Sequence, residues 1–76
     1  MKELVEVIAK SLVDYPDEVV VTEKSNEKAL IIELHVAQSD MGKVIGKQGR
    51  IAKAIRAVVK AAASKEDKKV TVDIMQ

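Results

Sequence analysis

A chain of 76 residues allows one domain, and a domain of that size buries only roughly 60–65% of its unfolded surface, so association would relieve a thin stability margin. Hydrophobic residues at 47% and charged residues at 33% exclude a disordered chain. The absence of cysteine and the single histidine exclude disulfides, thiolate metal sites and histidine-rich metal clusters. The net charge of +1 hides an asymmetry: residues 1–40 sum to −5, residues 41–65 to +7 without one acid, and residues 66–76 to −1. A basic block inside an otherwise acidic chain is suited to draw a polyanion to one face.

At the N-terminus, Glu3 and Glu6 interrupt the apolar stretch too soon for a signal peptide. No run approaches the length of a membrane span, so the expectation is a soluble cytoplasmic protein with no membrane partner. Leu4, Ile8 and Leu12, with Val5 and Val13 beside them, predict an amphipathic helix over 3–14. Pro16 ends it at Tyr15. The β-branched run within 18–23 reads as a strand, residues 25–27 as a turn, and 29–36 as a second strand. In that strand Leu30, Ile32, Leu34 and Val36 share one face, and Glu33 and His35 point outward. Ser39 and Asp40 are N-cap types ahead of a short helical turn, Met41 to Ile45, in which Met41, Val44 and Ile45 share one side.

Gly46-Lys47-Gln48-Gly49 breaks that turn. Residues 50–64 then form the clearest helix, with Ile51, Ile55, Val58 and Ala62 as its core stripe. Lys53, Arg56 and Lys60 cluster opposite the stripe, and Ala54, Ala57 and Ala61 line one flank. A charged turn over 64–69 leads to a closing strand through Val70, Val72 and Ile74. The order α-β-β-α-α-β predicts an α+β fold, with three helices packed on one face of a three-stranded mixed sheet. Residues 1–76 read as one domain.

Three glycines invite nucleotide-loop readings, and both fail. A P-loop needs four residues between its glycines and then Lys-Ser/Thr, whereas Gly42 and Gly46 enclose three and Gln48 stands where the hydroxyl belongs. The same spacing breaks the dinucleotide fingerprint. What remains is a Gly-Lys-Gln-Gly turn between two helices. Its glycines allow a sharp turn and close backbone approach, and the following helix directs unsatisfied N–H groups and its positive dipole end at the gap. Such a place suits a phosphate, with Lys47 and Arg50 adding positive charge.

Val44-Ile45-Gly46-Lys47-Gln48-Gly49-Arg50-Ile51 resembles the VIGxxGxxI signature of KH domains, whose GXXG loop clamps a single-stranded backbone. The element order is similar to the type II KH arrangement of prokaryotes. Over essentially the whole chain, including the Asp40-Met41-Gly42-Lys43 lead-in and the alanine-rich last helix, it resembles the small stand-alone bacterial KH proteins of the KhpA family. The resemblance implies that Gly46 and Gly49 shape the loop, and that Lys47 and Gln48 face the sugar-phosphate chain of single-stranded RNA. It also implies that Ile45 and Ile51 line an apolar floor for bases, and that Lys43, Arg50 and Lys53 supply the surrounding field. Tyr15 is the sole aromatic residue, so stacking of bases on rings is not available, which implies modest affinity from one domain. The resemblance further implies self-association or pairing with a larger KH-containing RNA-binding protein of the KhpB (Jag) type, and in some bacteria a link to cell-shape control.

Several features keep two readings. The Lys53-Arg56-Lys60 row is either a solvated helix face or a field that steers RNA. The alanines at 54, 57 and 61 express either helix propensity or a close-packed dimer interface. His35 reads as an outward strand residue, and no pair among the N-terminal acids suggests acid–base work. No nucleophile–base pair, metal cluster or cofactor loop is present in the sequence, so the expectation is a non-enzyme without a cofactor or small-molecule substrate. The favoured function is an RNA-binding module of low sequence selectivity, a chaperone or post-transcriptional regulator. The alternative is a dimerisation adaptor whose RNA contact is secondary.

Overall fold

The computed structural model describes residues 1–64 and 67–75. Helix α1 spans Lys2–Leu12, strands β1 and β2 span Val20–Ser25 and Ala29–His35, and α2 spans Met41–Ile45. Helix α3 spans Arg50–Ala62 and strand β3 spans Lys69–Met75. The sheet runs β1-β2-β3. β1 is antiparallel to β2 with Val20 opposite His35, and β3 is parallel to β2 with Ala29 opposite Lys69 and His35 opposite Met75. This is the α-β-β-α-α-β arrangement of a type II KH domain, as the sequence predicts.

Alternation along β2 sets the core. Leu30, Ile32 and Leu34 face inward and are buried, together with Val21 of β1, Val72 of β3 and Val36. They pack against Val5 and Ala9 of α1, Val44 of α2, and Ile55 and Val59 of α3. Asn26 closes the hairpin: its Oδ1 accepts from the backbone N–H groups of Lys28 and Ala29, both at 2.8 Å, and its own N–H donates to the Ala29 carbonyl at 3.0 Å. This is the turn chemistry that asparagine brings.

Three boundaries and two faces differ from the sequence reading. Helix α1 stops at Leu12 rather than 14, because the backbone N–H groups of Asp14 and Tyr15 leave the helix to donate to the Asp40 carboxylate at 3.1 and 3.0 Å. Pro16 opens a short 3₁₀ turn, Pro16–Glu18, with proline at the first helical position where its missing N–H costs nothing; β1 therefore begins two residues later than expected. Helix α3 stops at Ala62, two residues early, as Ala63 leaves helical geometry. On α1 the core is centred on Val5 and Ala9, while Leu12 reaches the surface. On α3 the buried residues are Ala52, Ile55 and Val59 with Ala63 beyond its end, and Val58 is 44% exposed. The buried face of α3 is thus turned from the predicted stripe Ile51-Ile55-Val58-Ala62: Ile55 is shared, Ala52 and Ala63 are buried, and Val58 and Ala62 are exposed. Part of the charged turn predicted over 64–69 lies outside the described residues. Among the described residues no helix is long and apolar enough to cross a membrane.

Candidate nucleic-acid interface at the turn between α2 and α3

The turn between α2 and α3 is built from backbone geometry that few residues adopt. Gly46 has φ 75° and ψ 174°, a region essentially reserved for glycine. A Cβ at Gly46 would stand 2.6 Å from Cγ1 and 2.9 Å from Cβ and Cδ1 of Ile51, so the position also demands close approach. Gly49 is left-handed at φ 73°, ψ 16°, with open space around it. Gln48, at φ 58°, ψ 25°, is a non-glycine residue in left-handed geometry, a strain of about 1 kcal/mol of the kind that collects at functional sites. The Gly46 N–H donates to the Gly42 carbonyl at 2.9 Å and the Gly49 N–H to the Gly46 carbonyl at 3.1 Å, which closes α2 and fixes the turn.

Charge is distributed unevenly around it. No side chain caps the start of α3 and no acid lies in its first turn, so the positive end of the helix is left to an outside anion. Arg50 Nη2 donates to Gln48 Oε1 at 3.3 Å. Lys47 and Lys53 are exposed, and among the described residues neither forms an ion pair.

Lys43 behaves differently from the sequence reading. Its Nζ pairs with the Asp14 carboxylate and lies 3.8 Å from Asp40 Oδ1, so it faces the α1 end of the molecule instead of contributing a free charge to the turn. The hydrogen bond to Asp14 holds its pKa above the usual lysine value, assisted by the charges of Asp14 and Asp40. A lysine raised on folding stabilises fully below its unfolded pKa, and the contribution disappears only as pH rises through the folded value; this ion pair is therefore intact at neutral pH.

Ile45 is half-exposed beside the turn. Ile51 packs under Gly46 and also lines a hollow of about 380 Å³ between α1 and α3, with Ile8, Leu12, Ala54 and Val58 among the other walls. Ile51 thus supports the turn from the α1 side. Ala54, Ala57 and Ala61 are exposed, and only Ala54 lines the hollow.

Two residues were missed in their roles. Asp40, 1% exposed, holds the N-cap position of α2 but makes no side-chain cap bond there; its carboxylate instead ties the end of α1 to the start of α2. Arg56, which the helical wheel sets in the Lys53-Arg56-Lys60 row opposite the core stripe, donates from Nε to the Val72 carbonyl of β3 at 3.2 Å. No sequence signal marks either partner, since both lie far along the chain.

Fold and turn together define a type II KH domain with an intact GXXG loop. The KhpA/KhpB KH-domain family model matches residues 2–74, and the chain belongs to that family. It is 68% identical to an RNA-binding protein KhpA of Clostridium acetobutylicum and 69% identical to one of Clostridium perfringens, in each case over 99% of this chain and 100% of the relative. A relative of the same name from Listeria monocytogenes is 51% identical over the full length of both. Among solved structures, the chain is similar to Era in complex with MgGDPNP and nucleotides 1506–1542 of 16S ribosomal RNA. That likeness has a TM-score of 0.60 at 21% identity, over 97% of this chain and 30% of that one, and it bears on the fold alone.

Proposed function

We propose that this chain holds single-stranded RNA by its sugar-phosphate backbone at the Gly46–Gly49 turn, acting in the cytoplasm as a binding module and not as an enzyme. The observation that carries the reading is the turn itself. Two glycines in glycine-only or left-handed geometry bring the backbone within reach of another chain, beside an uncapped helix start and with no acid at hand. Gly46 and Gly49 shape the loop, Lys47 and Gln48 lie against the phosphate path, and Arg50 and Lys53 add charge. Ile45 offers the apolar contact for bases, with Ile51 behind it. The likeness to proteins named RNA-binding protein KhpA supports the same reading, and low sequence selectivity follows from a grip on backbone rather than base edges. A role as RNA chaperone or post-transcriptional regulator fits such a grip.

The double variant Lys47→Asp, Gln48→Asp is expected to lose RNA binding while keeping its helical circular-dichroism spectrum, because both side chains are exposed and outside the core. Fluorescence anisotropy with a labelled mixed-sequence single-stranded RNA checks this. Unchanged binding by a folded double variant would sink the reading.

A second element of the proposal is association, with another copy or with a larger KH-containing protein of the KhpB type. The hollow walled by Ile8, Leu12 and Val58, and the exposed alanines of α3 beside it, favour it: a small domain gains from covering apolar surface. Val58→Glu is expected to weaken self-association several-fold, since it sets a charge in the hollow. Sedimentation that gives one and the same assembly mass for variant and wild type contradicts this.

A further inference from the structure

The consecutive residues Arg50 and Ile51 belong to two places at once. At the turn, Arg50 Nη2 donates to Gln48 Oε1 at 3.3 Å, and Gln48 is the residue in left-handed geometry at φ 58°. Ile51 fills the space at Gly46, its Cγ1 standing 2.6 Å from where a Cβ would be. Both side chains also line the hollow between α1 and α3. Part of the wall of that hollow is therefore the underside of the Gly46–Gly49 turn.

The hollow holds about 380 Å³, and Arg50 is the one charged residue in its wall, which Ile8, Leu12, Ala54, Ile55 and Val58 complete. Such a wall receives apolar side chains. The same face also projects them, since Val58 is 44% and Leu12 36% exposed. A two-fold contact between identical chains requires that combination, because each copy supplies what the other receives. Charge agrees with a second copy as the occupant. At 3.6 residues per turn, Lys53, Arg56 and Lys60 fall on the side of α3 away from Val58. Two copies thus meet at the hollow without setting these cations against each other.

We infer that a second copy of this chain, seated at the hollow, tightens the hold of the turn on RNA, and that RNA in return tightens the pairing of the copies. The inference rests on the RNA-binding and association readings and adds the link between them. A copy packed against Ile51 holds that side chain under Gly46, and so holds the turn. It also covers part of Arg50, an exposed side chain that otherwise loses its freedom only when a phosphate arrives. Freedom already lost at the interface is not lost again on binding RNA, so each event favours the other without a change of shape. A coupling of about fivefold at each turn, the low end for linked sites, becomes about 25-fold for two copies that both carry RNA.

The test is sedimentation over a protein concentration series, with and without saturating single-stranded RNA of about four nucleotides, the length one such turn holds. RNA so short leaves nothing to bridge to a second turn, so avidity does not enter. For wild type the dissociation constant of the pair is expected to fall about 25-fold with RNA. In Arg50→Ala the fall is expected to shrink to less than about fivefold, which loss of one charge from a saturated RNA site would not by itself bring. Tightening that persists in the Lys47→Asp, Gln48→Asp variant overturns the route through the turn. Pairing that ignores Val58→Glu overturns the hollow as its seat. Loop-dependent RNA binding by a chain that pairs equally well or worse with RNA overturns this inference alone and leaves both earlier readings standing. A chain that stays single at every concentration overturns it and leaves the hollow to another partner. A wild-type chain that binds no RNA overturns it together with the loop reading.

Discussion

Gly46→Ala is expected to destabilise the domain by about 3 kcal/mol or more, while Gly49→Ala costs only about 1 kcal/mol. The two glycines frame one motif and share a positive φ, yet their surroundings differ. At Gly46 the backbone stands at φ 75°, ψ 174°, where a side chain is strained whatever the space, and the space is already filled by Ile51 at 2.6–2.9 Å. At Gly49 the left-handed geometry is one that other residues do visit, and nothing lies within 4 Å of an added Cβ. Shortening Ile51 to alanine does not rescue Gly46→Ala, because the Ile51 Cβ is itself 2.9 Å away. For a domain of this length total stability is about 4–11 kcal/mol, so Gly46→Ala removes a large part of it. Thermal melts of the two variants check the order; equal melting points contradict it.

Asp40→Ala is expected to cost about 3 kcal/mol, the loss of hydrogen bonds to a charged acceptor with two donors left unpaired. For a domain of this size that lowers the melting midpoint by about 12–24 °C. The carboxylate is 1% exposed, accepts from Asp14 and Tyr15 N–H, and has Lys43 Nζ 3.8 Å from Oδ1. Asp40→Asn keeps one acceptor oxygen but sets an NH2 against the second N–H, so it is expected to recover only part of the loss. The effect concerns more than stability, because Asp40 is the residue before α2 and α2 leads directly into the Gly46–Gly49 turn. A shift of less than about 2 °C in Asp40→Ala, well below one interaction of this kind, contradicts the clamp.

Much of the fold was legible in the sequence because its signals are local. The alternation of Leu30, Ile32 and Leu34 announces a half-buried strand, and Gly46 and Gly49 announce a break between helices whatever the tertiary context. The type II KH order follows from those elements. The rotation of α3 was not legible, because alanine reads equally well as core or surface. Ala52 is buried and Ala54 exposed, a difference that tertiary packing sets. Asp40 shows the other limit: a capping residue type next to a helix start is the ordinary local signal, and here a partner 26 residues away takes the carboxylate instead. Lys43 follows from the same arrangement, drawn to Asp14 and away from the turn. In the candidate site, the loop residues stand out by their motif, while the bond from Arg56 to the Val72 carbonyl depends on how α3 meets the edge of the sheet.

An NMR titration of the backbone amides with a single-stranded RNA tests whether RNA lies on the Gly46–Gly49 turn. The largest shifts are expected at residues 45 to 51. Shifts confined to the hollow between α1 and α3, or to the outer face of the sheet around His35, would contradict the claim and give the chain's main role to association.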